Sequence, residues 1–139
     1  MIINKYGQRE LFVFSTFVEY RTLEENIKAF KEVKQLLIDS NIKFKIVKGC
    51  YKDNKELSFV VMDIDEVAVM TLCRQFNQES CLWILPEING TRYCHFLGTD
   101  DSLSEKFKLI AVSKKEATKS SGYTYCPKTR TYYITQGVA

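Results

Sequence analysis

A short segment between two alternating stretches carries the residue types with the clearest chemical potential. It begins at Gly49, passes through Tyr51 and ends at Glu56. Glycine permits a sharp turn, and the two ends of a tight hairpin approach within about 5 Å, as cross-strand neighbours do. An aromatic face attracts a cation through its quadrupole, and a carboxylate attracts it through its charge. The pair Tyr51 and Glu56 therefore predicts a site for a positively charged ligand with an apolar body, and an ordinary polar hairpin is the alternative interpretation.

Other common forms of catalytic chemistry find no matching pattern in the sequence. His95 is the single histidine and stands inside a strand-like pattern, so we expect it to be structural. No Walker or dinucleotide-binding glycine pattern occurs. The five cysteines are odd in number and form no CxxC pair, which argues against a zinc site or a disulfide framework and favours reduced thiols. We therefore expect no metal and no cofactor.

Charge and hydropathy limit the partners that we expect. The formal net charge is +3, from 20 basic and 17 acidic residues, and we interpret the lysine groups at 43–55 and 114–119 as solvated faces and loops. This balance predicts no nucleic-acid partner, and it disfavours mimicry of DNA, which needs strong negative charge. No apolar run approaches the roughly 20 residues that span a bilayer, and residues 1–10 lack the apolar core of a signal peptide. We expect a cytoplasmic protein without membrane contact.

The periodicity of the apolar residues predicts the elements that position this segment. A short, wholly apolar run is typical of a strand buried on both faces, alternation is typical of a strand with one wet face, and steps of three and four indicate a helix. Thr22 and Glu25 form a capping box at the start of the first helix, and Asn41 follows its end. The sequence predicts strands over residues 10–18, 42–46, 57–61 and 81–85, with helices from Thr22 to Asp39 and after Asp63 or Asp65.

The order of these elements predicts the fold class. The series β-α-β-β-α-β is the ferredoxin-like arrangement, with two helices on one face of an antiparallel sheet. Asn89 and Gly90 mark a two-residue hairpin turn, and residues 123–126 and 131–134 form a last hairpin. We expect the α+β class, a ferredoxin-like βαββαβ sandwich with a C-terminal hairpin extension. No repeat or convincing linker divides the chain, so we expect one domain over residues 1–139.

At these residues the chain resembles the phage S-adenosylmethionine lyases, long called S-adenosylmethionine hydrolases. The resemblance extends over roughly residues 11–135 and depends on the order and spacing of short landmarks. These are Val13 to Phe17 on the first strand, Gly49 to Tyr51 ending the second, Glu56 opening the third, Leu72 to Leu82 across a helix and strand, and Gly122 to Thr124 with Arg130 behind them. The loop between Tyr51 and Glu56 is shorter than in the family, which makes Asp53 the substitute carboxylate.

The resemblance implies a fold, an assembly and an activity. It implies a PII-like homotrimer that binds S-adenosylmethionine between subunits and cleaves it to methylthioadenosine and L-homoserine lactone. The substrate's own carboxylate would attack its γ-carbon, which requires an aligned bound conformer rather than an enzymic nucleophile. It also implies a role in phage anti-restriction, because loss of S-adenosylmethionine starves the host enzymes that need it.

The resemblance also implies roles for particular residues. Glu56 and Tyr51 would be catalytic: Glu56 would hold the sulfonium end and orient the aminobutyrate chain, and Tyr51 would hydrogen-bond or stack beside it. The implied substrate-binding residues are Ser15, Thr16, Phe17, Gly49 and Cys50.

Two other classes of protein remain open on the sequence. The first is a non-enzymatic PII-like trimer that binds a nucleotide-type ligand, because one fold hosts many functions. The second is a ferredoxin-like domain without a small-molecule site. A sensor of an anionic nucleotide would present Lys or Arg to its ligand, so the carboxylate of Glu56 favours the enzyme. The lysines that flank the loop favour the binding module.

Overall fold

The computed structural model describes residues 9–51 and 54–138. The strands are β1 (Leu11–Ser15), β2 (Phe44–Tyr51), β3 (Asn54–Met62), β4 (Ser80–Ile84), β5 (Arg92–Gly98), β6 (Phe107–Val112), β7 (Gly122–Cys126) and β8 (Thr131–Gly137). The helices are α1 (Leu23–Asp39), α2 (Glu66–Gln75) and α3 (Lys114–Lys119). Helix α1 connects β1 to β2, α2 connects β3 to β4, and α3 connects β6 to β7.

The eight strands of the described residues form a closed antiparallel barrel. Their order around the barrel is β1-β3-β2-β7-β8-β6-β5-β4, and β4 pairs with β1 to complete the circle. Each neighbouring pair is antiparallel. Closure pairs the strand edges that an open sheet would expose.

The predicted ferredoxin-like sandwich, and with it the PII-like architecture, is wrong. The first six predicted elements occur, and four of their strands lie side by side as β4-β1-β3-β2. This sheet does not end at β2, because Tyr51 pairs with Gly122 and Lys48 with Tyr125 of β7. Nor does it end at β4, which pairs with β5. The predicted C-terminal hairpin extension is therefore part of the barrel wall rather than an appendage.

The predicted helix boundaries are confirmed by their hydrogen bonds. The hydroxyl of Thr22 accepts from the amide of Glu25 at 3.1 Å, and the Glu25 carboxylate accepts from the amide of Thr22 at 3.0 Å. Asn41 has a φ of 55° just beyond α1, as a helix stop requires. Asp65 rather than Asp63 caps α2, because its carboxylate accepts from the amide of Ala68 at 2.8 Å. Among the described residues, no helix combines the length and apolarity needed to cross a bilayer.

The predicted turn between β4 and β5 is also confirmed. Asn89 and Gly90 have φ values of 50° and 79°, and residues 88 and 91 pair on either side of them. Two consecutive residues of positive φ are typical of a type I′ hairpin turn, in which Asn-Gly is favoured. This turn returns the chain along β4 and so begins the half of the barrel that the fold prediction missed.

Alternation along the strands divides the apolar residues between two cores. One core fills the barrel and includes Leu11, Val13, Val47, Val60, Met62, Ile84, Cys94, Cys126 and Tyr133. The other lies between the barrel and the helices and includes Phe12, Phe14, Phe30, Val33, Leu37, Phe59, Val61, Val69 and Cys73. Successive residues of a strand point to opposite faces. The inward face of β3 therefore continues from Met62 and Val60 to Ser58 and Glu56.

Candidate functional site

Glu56 lies near one end of the barrel, and its side chain packs against the neighbouring strand β2. Its register partner on β2 is Gly49. A Cβ atom built on Gly49 would stand 3.3 Å from Cγ and 3.6 Å from Oε1 of Glu56. The carboxylate therefore occupies the space that a side chain at position 49 would take, and the glycine is what admits it.

Burial favours the protonated form of this carboxyl. Glu56 is half-buried, and burial raises its pKa from the usual 4.5 to about 7. Taking a carboxylate out of water disfavours its charged form unless a cation or a hydrogen-bond donor compensates. Within residues 9–51 and 54–138, no side chain or backbone group forms a hydrogen bond or an ion pair with it. A bound cation would supply that compensation.

Ser15 and Ser58 lie beside Glu56 at the same end of the barrel. Ser58 is the next inward residue of β3, and Ser15 is its register partner on β1. The Ser15 hydroxyl donates to the carbonyl oxygen of Leu57 at 2.6 Å and accepts from the amide of Phe17 at 3.0 Å. The hydroxyl of Ser15 thus fixes the end of β1 against β3, next to the carboxylate.

Tyr51 lies at the rim of the same barrel end. It is 56% exposed, and its register partners are Asn54 on β3 and Gly122 on β7. A Cβ on Gly122 would approach Cδ2 of the Tyr51 ring to 3.1 Å, so the ring lies across that glycine. The side-chain amide Nδ2 of Asn54 donates to the carboxylate of Glu19 at 3.0 Å, and this bond connects the β2–β3 hairpin to the chain beyond β1. The predicted substitute carboxylate, Asp53, lies outside the described residues.

Three of the predicted site residues lie away from the inward face. Thr16 is fully buried just beyond β1. Phe17 packs against the helix core, with its ring edge-on to Phe30 at a centroid distance of 6.3 Å. Cys50 is on the outward face of β2, opposite Tyr123 of β7. The structure thus brings together Gly49, Tyr51, Glu56 and Ser15, and it places Thr16, Phe17 and Cys50 away from them.

The sequence reading missed three residues of this barrel end. Ser58 follows from alternation along β3, two positions after the carboxylate, and could have been found. Thr124 lies opposite Gly49 on β7, and Gly122 lies opposite Tyr51. Both belong to a landmark of the resemblance, but their place at this site could not have been predicted, because nothing in the sequence pattern pairs β7 with β2.

His95 lies in β5 with contacts on both its ring nitrogen and its ring face. The Nδ1 atom of His95 is 2.9 Å from the carbonyl oxygen of Ser104, and its ring packs on Trp83 at a centroid distance of 5.8 Å. These contacts agree with the structural role expected for the histidine. In the part of the chain that the structure describes, no group of three His, Cys, Asp or Glu side chains could hold a metal ion.

The half-buried carboxylate of Glu56 lies inside one end of an antiparallel barrel with the Tyr51 ring at the rim, and a carboxylate and an aromatic face both attract cations. The sequence model of the S-adenosylmethionine lyase family matches residues 12–136, and the chain belongs to this family. The match confirms the resemblance drawn from the short landmarks. The description of the family gives S-adenosylmethionine as its substrate and a lyase reaction as its activity. A search of curated proteins found no match.

Proposed function

We propose that the chain cleaves S-adenosylmethionine to methylthioadenosine and L-homoserine lactone, with the reacting part of the substrate held at Glu56. The observation that carries the proposal is the half-buried Glu56 carboxylate opposite Gly49. The substrate carries two positive charges near its reacting carbon, on the sulfonium and on the α-ammonium. Glu56 has no partner among the described residues, so its carboxylate is a group that the positive charge of such a substrate would stabilise.

The ammonium is the better partner for Glu56 through the whole reaction. The sulfonium loses its charge as the bond to the γ-carbon breaks, so holding it tightly would stabilise the substrate more than the transition state. The ammonium keeps its charge throughout, so an ion pair with Glu56 is retained at the barrier. Binding that is equally strong in the substrate and in the transition state lowers KM without changing kcat, so an ion pair with the ammonium would hold the substrate without opposing the chemical step.

The bond changes need no acid, base or enzymic nucleophile. A carboxylate oxygen of the substrate forms a bond to the γ-carbon, and the bond from that carbon to sulfur breaks. The electron pair goes to sulfur, which leaves as the neutral thioether of methylthioadenosine. No proton moves, and the five-membered lactone retains the ammonium. The protein then contributes orientation, by holding the reacting atoms aligned and roughly 3–3.5 Å apart.

Each site residue has a proposed role. Tyr51 would contact the substrate from the rim, either by stacking or by a hydrogen bond from its hydroxyl. Ser15 would hold β1 against β3 and so fix the wall beside Glu56. Thr16 and Phe17 would support the adenosine side of the site through packing. The outward-facing Cys50 would reach the substrate only in a site shared between subunits.

The assembly and the biological role are proposals that the sequence landmarks support. We propose a homotrimer with intersubunit sites, formed by the whole 139-residue chain as one domain in the host cytoplasm. In this setting, cleavage would lower the S-adenosylmethionine available to restriction and modification enzymes. Sedimentation of the purified chain gives its subunit number, and a monomer of full activity would contradict the shared site.

Product analysis in water enriched in ¹⁸O tests the proposed reaction. Purified protein is incubated with S-adenosylmethionine, and the products are separated and weighed by mass spectrometry. We expect methylthioadenosine together with unlabelled lactone, and the homoserine formed later by lactone opening should carry the label in its carboxyl group. Label in the γ-hydroxyl would show that water attacked the γ-carbon, which contradicts lactone formation. Absence of methylthioadenosine would contradict the enzyme.

A further inference from the structure

Position 49 requires glycine because a side chain there would lack space, and not because its backbone conformation excludes other residues. Its φ lies outside the positive range that favours glycine, whereas Gly90 has a φ of 79°. Any L-residue could therefore adopt the backbone of position 49. What a side chain would meet is Glu56, at 3.3 Å from Cγ, and Ser58, with its Oγ atom at 3.7 Å.

We propose that Gly49 is a positioning residue: its missing side chain lets the Glu56 carboxylate fold against β2 inside the barrel, and this placement makes the site select a cationic substrate. The identity of the cation rests on the proposed function, but the placement of the carboxylate does not. A carboxylate that could turn outward would be solvated by water and would gain less from a ligand cation.

Among the described residues, the inward positions nearest to Glu56 carry no charge. The inward positions nearest to it on β2, β3 and β7 are Gly49, Ser58 and Thr124. The ionisable neighbours on the outward faces of these strands are Lys48, Cys50, Lys55 and Tyr123. Tyr51 lies at the rim, and Glu19 is hydrogen-bonded to Asn54. The upward shift of the Glu56 pKa accordingly has burial as its cause, without a contribution from a neighbouring charge.

Added volume at position 49 should therefore act on Glu56. In Gly49→Ala the new Cβ would force Cγ of Glu56 to move by a few tenths of an ångström. In Gly49→Val the two added methyl groups would push the carboxylate out toward water. Gly137→Ala is the matched control, because position 137 is also on a barrel strand, at the same end, and a Cβ there would meet no atom within 4 Å.

The carboxyl ¹³C resonance of Glu56, followed against pH by NMR, reports its placement without any substrate. We expect a pKa of about 7 in the unaltered chain, a lower pKa in Gly49→Ala, and one near the usual 4.5 in Gly49→Val. Gly137→Ala should leave the pKa unchanged. An unchanged pKa in both position-49 variants would overturn the positioning role, whether or not the protein cleaves S-adenosylmethionine.

Steady-state kinetics then test the link to the cation. We expect Gly49→Val to raise KM for S-adenosylmethionine about tenfold, which corresponds to about 1.4 kcal/mol of lost binding, with a smaller effect on kcat. The double variant Gly49→Ala with Glu56→Asp should recover part of the affinity that Gly49→Ala loses, because aspartate is one methylene shorter and relieves the contact. An equal loss in Gly49→Ala and Gly137→Ala would mean that position 49 acts only through the strand. Failure of the unaltered chain and of all variants to turn over substrate, with the NMR shifts as expected, would contradict the proposed reaction and not the positioning.

Discussion

Glu56 and Arg92 are inward-facing charged residues near opposite ends of the barrel. Arg92 begins β5 two positions before Cys94, which pairs with Ile84, and its own register partner is Leu109. The two side chains differ in their burial and in their hydrogen-bond partners. Arg92 is only 4% exposed, and its Nη2 atom donates to the carbonyl oxygen of Arg9 at 3.1 Å.

The two ends of the barrel thus contain charged side chains of two kinds. Arg92 has a partner within the protein, whereas Glu56 is available to a ligand. Burial lowers the pKa of Arg92, but the negative charge of Glu87 opposes that shift, and the guanidinium has a partner within the protein. At Glu56, burial alone raises the pKa, and the described residues supply no donor. A charge that the fold satisfies stabilises the fold, whereas a charge left for a ligand is a candidate functional group. This contrast predicts that substitutions at the two positions separate activity from stability.

Glu56→Gln should have the largest effect on activity. It removes the charge but keeps the size of the side chain, so we expect kcat/KM for S-adenosylmethionine to fall roughly 1,000-fold, about 4 kcal/mol, with an unchanged fold by circular dichroism. Glu19→Gln is the matched control, since it removes a charge near the same hairpin tip but outside the barrel, and its activity should stay within about twofold. Comparable losses in both variants would show that overall charge matters rather than Glu56.

Arg92→Met should have the largest effect on stability. It leaves the Arg9 carbonyl without its donor and should lower the free energy of unfolding by about 2–4 kcal/mol, with kcat of the folded fraction unchanged. Urea denaturation measures this loss. In Arg74→Met, which breaks the exposed contact between Arg74 and Asp101 at 3.2 Å, we expect a loss of at most about 1 kcal/mol. A large loss of kcat in Arg92→Met would remove the distinction between the two ends.

The pH dependence of stability should show a smaller effect at Glu56. Between pH 4.5 and about 7 the unfolded chain has lost the Glu56 proton and the folded chain retains it, so the free energy of unfolding falls as pH rises. We expect this single group to contribute about 1–3 kcal/mol of that fall, after allowance for partial solvent screening. In Glu56→Gln, denaturation across this pH range should show a smaller fall in the free energy of unfolding, because the titrating carboxyl is absent. Parallel curves for the two proteins would mean that the carboxyl titrates normally.

Local pattern made most of the elements predictable. The capping box of Thr22 and Glu25, the stop at Asn41 and the turn at Asn89 and Gly90 depend on neighbouring residues, and each is found where the sequence predicts it. The prediction of the fold class was wrong, because the fold class depends on pairing between strands that are distant in sequence. The register of β2 with β7, for example Gly49 with Thr124, leaves no trace in alternation, since both an edge strand and a paired strand alternate.

The candidate site was predictable to the extent that it lies on one hairpin. Gly49, Tyr51 and Glu56 are close in sequence, so their approach follows from a tight connection between two strands. The inward direction of Glu56 could not be predicted, because a ferredoxin-like sheet has one helix-covered face and no interior. Burial of this carboxyl, and hence its raised pKa, is a consequence of barrel closure.

The most direct test of the account is the ionisation of Glu56 with and without a cationic ligand. The carboxyl ¹³C resonance is titrated in the free protein and in the presence of a saturating analogue of S-adenosylmethionine that has an amine in place of the sulfonium and cannot be cleaved. We expect a pKa of about 7 in the free protein and a marked decrease on binding, because the ligand cation stabilises the carboxylate. An unchanged pKa in the complex would contradict the claim that Glu56 awaits the substrate's positive charge.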